Sequence, residues 1–130
     1  MFYKRGMNDR PEGLLAWQWD LYPGNHRDRR NLILHALTVP LFQVGTVLLA
    51  TAPLTSLWAA LPGLVAMVGA MAAQGRGHRQ ETVAPVPFRN PFDVVSRIFV
   101  EQWVTFPRFV MSGGFSRAWR SVSDAGTSVA

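Results

Sequence analysis

Residues 32–75 read LILHALTVPLFQVGTVLLATAPLTSLWAALPGLVAMVGAMAAQG, a stretch without one Asp, Glu, Lys or Arg. All thirteen basic residues of the 130-residue chain lie outside it, six before and seven after. The stretch divides at Thr51-Ala52-Pro53-Leu54-Thr55-Ser56. Each half is about 20 residues long, enough to cross a hydrocarbon core at about 1.5 Å per residue. Two transmembrane helices joined by a tight turn are expected. Pro40 and Pro62 fall inside them, which membrane helices tolerate, and Gly63, Ala66, Gly69, Ala70 and Ala73 offer close helix contact.

The turn carries no basic residue while both outer flanks do, so the positive-inside rule places both termini in the cytoplasm. A soluble bundle with two unusually apolar helices is the competing arrangement, since the mean hydropathy of the whole chain is only slightly positive. The net charge of +5 does not point to nucleic acid, because the arginines are scattered around apolar helices rather than gathered on a basic helix or a zinc-finger spacing. With no cysteine, disulfides and thiolate metal sites are excluded.

Outward from the hairpin, residues 1–10 read as a basic, mobile leader without a signal-peptide core. A short helix is expected over Pro11 to Tyr22, rich in the rings that settle at membrane interfaces (Trp17, Trp19, Tyr22), with Pro23-Gly24 ending it. Asn31, directly before the apolar run, has the character of an N-cap. On the far side, Val83 to Pro87 is too proline-rich for a regular helix. Asn90-Pro91-Phe92-Asp93 then supplies a cap, a first-turn proline and an acid for an amphipathic helix over 91–111. Its Asp93, Arg97, Glu101, Thr105 and Arg108 recur at helical spacing opposite an apolar side, so an interfacial or partly inserted helix kinked near Pro107 is expected. Gly113-Gly114 breaks it, one more basic turn follows, and 121–130 reads as a disordered tail. The expected fold class is all-α, a transmembrane helical hairpin with flanking interfacial and amphipathic helices, forming one membrane-embedded domain over 1–130.

The chain has three histidines, His26, His35 and His78. His35 lies about one turn inside the first span and His78 just beyond the second, so an antiparallel hairpin brings both to one boundary. Nine residues of continuous helix would put His26 and His35 on opposite sides, about 13 Å apart along the axis. They can share a metal only if the chain breaks between Arg27 and Asn31, which the polar run there favours. Glu81, three residues after His78, and Asp28 are candidates for a fourth ligand or for a partner that orients an imidazole. Imidazole with carboxylate suits iron, zinc or manganese.

Tyr22, His26, Asn31 and His35 with Pro40 beyond, together with Gly77-His78 followed by Glu81 and Pro85, resemble the 2-hydroxy-fatty-acid dioxygenase family, small multi-pass membrane proteins of fatty acid α-oxidation. The resemblance covers roughly residues 17–115. It implies an iron(II)-dependent enzyme that uses O₂ to shorten a 2-hydroxy fatty acid by one carbon without 2-oxoglutarate, with His26, His35 and His78 holding Fe(II). The chain departs from the family pattern at Thr38, where glycine is usual, at Gln80, often aromatic, and at Val86, usually small. On this view Tyr22, Asp28, Asn31 and Glu81 support the ligands. Arg76 or Arg79 pairs with the substrate carboxylate while the acyl chain lies along the hairpin among membrane lipid. Two other classes remain open: a non-catalytic membrane hairpin binding lipid or a partner protein, and a haem-binding electron carrier using two of the histidines.

Overall fold

The computed structural model describes residues 10–127, which form helices and their connections, with no strand among the described residues. In chain order these are α1 (Leu14–Leu21), α2 (Arg29–Thr51), α3 (Ala60–His78), α4 (Pro91–Val100, extended to Met111 as described below) and α5 (Gly114–Thr127). With their flanking turns, Arg29–Leu54 and Leu57–His78 are long and apolar enough to cross a membrane. Their apolar side chains mostly point outward: Ile33, Leu37, Leu41, Val44 and Val47 on α2, and Leu61, Leu64, Val65 and Val68 on α3, are exposed. Core helices of a soluble bundle would bury these faces, so the exposed stripes suit lipid surroundings.

Helices α2 and α3 form the expected hairpin, turning through short 3₁₀ segments at Ala52–Leu54 and Leu57–Ala59. α2 runs through Pro40 without a break. The two helices touch at Gly45 and Gly63, where a Cβ on either glycine would press on the other's carbonyl oxygen. Small residues permit this approach, which dispersion alone then stabilises. Gly69 takes no part, since nothing lies within 4 Å of where its Cβ would be.

Several boundaries differ from those expected. α1 begins at Leu14 rather than Pro11, because Gly13 has φ of 89° and turns the chain there. Arg10 is not part of a mobile leader: it pairs with Asp93 and lies over the Trp17 ring, 3.9 Å from its centroid. The remaining leader residues, 1–9, lie outside the described residues. The cap of α2 is Asp28, whose carboxylate accepts from the Arg30 N–H at 2.8 Å, so Asn31 falls inside the first turn. Helix α5 continues to Thr127 where a disordered tail was expected from residue 121, while 128–130 lie outside the described residues.

α4 is capped by Asn90, which accepts from the Asp93 N–H at 2.9 Å. It passes through a π turn at Glu101–Thr105 and ends as Phe106–Met111. The extra residue of the turn sits just before Pro107, whose missing N–H disturbs a regular ladder. The helix is amphipathic in the inverted sense. Asp93, Arg97, Gln102 and Thr105 are buried, whereas Phe92, Val95, Phe99 and Trp103 are exposed.

The core sits at one end of the hairpin. Tyr22, Leu32, Val39, Phe106 and Phe109 are buried together, with Trp19, Phe115 and Trp119 packed against them. α1, the end of α4 and α5 thereby clasp the first turns of α2, and the histidines lie beside this core.

Candidate metal centre

Each histidine reaches the site by a different local device. Tyr22–Asn25 forms a 3₁₀ turn, His26 leaves it with φ −133° and ψ 64°, and the extended Asp28 restarts the chain as helix. This is the break that lets His26 fold back toward His35. Gly77 brings α3 close: a Cβ there would collide with the Asn31 side chain, so only glycine lets the following His78 settle beside α2.

The three imidazole rings stand nearly perpendicular to one another, with centroids 4.6 to 5.1 Å apart. His26 Nδ1 is 2.9 Å from the Tyr22 carbonyl and His35 Nδ1 is 3.0 Å from the Asn31 carbonyl. A carbonyl accepts only from a nitrogen that carries hydrogen, so both Nδ1 atoms donate and both Nε2 atoms present lone pairs. Those two Nε2 atoms lie 3.3 Å apart. A carboxylate oxygen joins them: Glu101 Oε1 is 3.2 Å from His35 Nε2 and 3.5 Å from His26 Nε2. His78 adds a ring nitrogen, and its Nδ1 is buried without a hydrogen-bond partner. Four ligand atoms, one from each of His26, His35, His78 and Glu101, lie within 4.8 Å of one another. Converging lone pairs around a buried point repel unless a positive centre lies between them, so the donor set fits a divalent ion. Imidazole and carboxylate donors fit iron(II), and equally zinc or manganese.

The surroundings keep these donors in ligating form. Burial lowers the pKa of His26, favouring the neutral ring. Burial alone would raise the Glu101 carboxyl; when His26 and His35 carry a second proton, their hydrogen bonds and charge outweigh it and hold the group below the usual carboxylate range. Tyr22 stacks on His26 with centroids 3.7 Å apart, and its hydroxyl donates to Glu101 Oε1 at 3.1 Å. Burial and the adjacent Glu101 raise its pKa, so it remains a hydrogen-bond donor.

Glu81 lies outside this cluster. Its Oε1 accepts from the Arg27 N–H at 2.8 Å, the Asp28 N–H at 2.9 Å and the Asn31 amide at 2.9 Å, which ties α3 to the start of α2. Asp28 is likewise a helix cap rather than a ligand. Asn31 supports the site through its main-chain carbonyl and by its contact with Gly77. The fourth donor, Glu101, comes from α4, where the sequence shows it only as one member of a polar stripe on an interfacial or partly inserted helix.

A cavity of about 680 Å³ opens onto the cluster between α3, α4 and the proline-rich segment. Met71, Val86, Pro87, Phe88 and Ile98 line it, and His78 and Glu101 stand in its wall. Arg79 and Arg97 also line it, whereas Arg76 is exposed and does not. Arg97 is already engaged, donating to the Val86 carbonyl at 2.8 Å and the Pro87 carbonyl at 3.2 Å. A second void of about 50 Å³ touches Tyr22, His26, His78 and Glu101, with room for a water-sized molecule. No protein-family model, curated protein or solved structure matches the chain.

Proposed function

We propose that the protein is a membrane-embedded, iron(II)-dependent dioxygenase that shortens 2-hydroxy fatty acids by one carbon, as the resemblance to the 2-hydroxy-fatty-acid dioxygenase family implies. The observation that carries this reading is the facing pair of Nε2 atoms on His26 and His35, each fixed by its own Nδ1 bond and closed by Glu101. In the reaction the C1–C2 bond breaks, C1 leaves as CO₂ and C2 becomes the new carboxyl carbon. Dioxygen accepts the four electrons released, and water completes the balance without a further reductant.

His26, His35, His78 and Glu101 would hold the iron. Iron(II) held there would supply the one-electron chemistry that lets dioxygen react with a closed-shell substrate. The chain's own residues do the rest. Tyr22 fixes Glu101 through its hydroxyl and His26 through its carbonyl. The apolar wall of the larger cavity takes the acyl chain, and its volume lies in the range of small-molecule sites. Arg79, lining that cavity and exposed, pairs with the substrate carboxylate. The smaller void beside Tyr22 and His78 suits dioxygen. Basic flanks on both sides of the hairpin support a cytoplasmic side for this end and for both termini.

The test is anaerobic loading with iron(II) of protein purified in detergent, then air and a series of 2-hydroxy fatty acids, with products identified by mass spectrometry. An acid one carbon shorter is expected, lost on changing any of the three histidines to Ala. Bound iron with no such product from any chain length overturns the assigned reaction.

One observation favours a non-catalytic hairpin instead. Glu101 Oε1 is within hydrogen-bonding distance of both Tyr22 and His35, so protons alone can hold the cluster together. A protein that takes up no metal and melts at the same temperature with and without iron(II) supports that alternative.

A further inference from the structure

The π turn of α4 decides whether Glu101 faces the histidines. In a regular helix, Arg97 and Phe109, twelve residues apart, differ by about 120° beyond three full turns, so both could not point to the same side. Both are buried here, as are Gln102, Thr105 and Phe106 between them. One extra residue in the turn at Glu101–Thr105 removes roughly 100° of that drift. With Phe106 and Phe109 fixed in the core, a regular helix would swing Glu101 away from His26 and His35.

The turn leaves one carbonyl without a main-chain donor. The Phe106 N–H bonds to the Glu101 carbonyl rather than to that of Gln102. The next residue in the π register that could serve Gln102 is Pro107, which has no N–H. The donor comes instead from another helix: the Gln43 side-chain amide of α2 donates to the Gln102 carbonyl at 2.8 Å. Gln43 lies two turns beyond His35 in an uncharged span, beside the exposed Val44 and Val47. At that depth an unpaired carbonyl has no water to turn to.

The turn is braced elsewhere too. Gln102 and Gln74 form a reciprocal amide pair at 2.8 and 3.0 Å, and Gln18 spans from the Arg97 carbonyl to Thr105. Among the described residues, Gln43 alone satisfies a main-chain group that the π register itself orphans.

We propose that Gln43 is a positioning residue for the metal centre: by supplying the N–H that Pro107 lacks, it holds α4 in the π register that delivers Glu101 to the histidines. This rests on the metal-site reading above. Its consequence is an energetic link between Gln43 and Glu101, whose side chains make no direct hydrogen bond.

A double-mutant cycle read by cobalt(II) titration of the full chain in detergent tests this. Gln43→Met keeps length and volume but cannot donate. It is expected to weaken cobalt(II) binding at least tenfold and to change the visible absorption of the bound ion, as Glu101→Gln does. In the Glu101→Gln background, the same Gln43→Met change is expected to cost less than twofold. Independent effects in the two backgrounds, or wild-type affinity and spectrum in Gln43→Met, overturn the proposal while leaving the metal site standing. Absence of cobalt and iron binding in the wild-type chain overturns the site itself and the role of Gln43 with it. Should Gln43→Met not fold, Gln43→Asn, whose amide falls one methylene short of the Gln102 carbonyl, is read by the same criteria.

Discussion

Gly77 on α3 and Asn31 on α2 meet so closely that no Cβ fits between them. The contact immediately precedes His78 and immediately follows the turn that carries His26, so it sets the distance between the two helices at the site. Gly77→Ala is expected to push the helices apart at that point. Overpacking of this kind costs about 1–3 kcal/mol, and here the displaced group is a candidate ligand. A lower melting temperature together with weaker metal binding is the expected result. Unchanged metal affinity in a well-folded variant would show that the approach is not needed for His78.

Glu101 and Glu81 are expected to separate cleanly. Glu101→Ala removes a donor and should reduce bound metal sharply. Glu81→Ala removes the acceptor of three hydrogen bonds joining α2 to α3. It should lower stability by about 1–3 kcal/mol while leaving a full equivalent of metal in the folded fraction. Elemental analysis beside thermal unfolding checks both, and loss of metal from Glu81→Ala at full stability contradicts the assignment.

Acid should loosen the contact between α4 and the segment that precedes α1. Arg10 beside Asp93, aided by the Arg89 N–H and Arg97, lowers the Asp93 carboxyl from 3.8 to about 2. A depressed carboxyl favours folding above the unfolded value, and that contribution is lost as pH falls from 3.8 through about 2. Asp93→Asn should therefore be less stable at neutral pH and show a shallower loss between pH 4 and pH 2. Parallel unfolding curves for the two proteins across that range would count against the ion pair.

The outward stripes of the hairpin give a membrane test. Arg at Val44 or Leu64, both exposed and apolar, should disfavour insertion by about 2.5–3.5 kcal/mol. The fraction remaining in membranes after alkaline extraction should fall for each. Wild-type retention of both variants speaks against a spanning hairpin.

The hairpin, the break between His26 and His35 and the Asn90 cap were legible because each rests on local chemistry: absence of charge, polar residues before an apolar run, Asn-Pro before a helix. The mistaken cap has a simple origin. Asp28 and Asn31 both suit the position, and their separation by less than one turn gives composition no means to choose. Glu101 was hidden for a different reason. Polar residues spaced by four on a helix face water in a soluble protein, but in an apolar environment the same stripe turns inward toward partners. The π turn was also unreadable, since Pro107 announces a disturbance without saying whether the helix bends or gains a residue. The expected tail failed over Ser121–Thr127 because a run of small polar residues does not forbid helix once α5 has started from Gly114.

One side chain holds the wall of the larger cavity. Val83 to Phe88 has no regular structure of its own, and Arg97 grips it by two main-chain oxygens, with the Phe88 ring laid against the guanidinium at 4.4 Å. Backbone oxygens are common to every residue type. Substitutions in this segment would therefore change the bore of the cavity while its path is kept, leaving the histidine–glutamate cluster behind it in place. On the proposed function, that short strap would set which acyl chains the cavity admits, with Arg97 as its anchor.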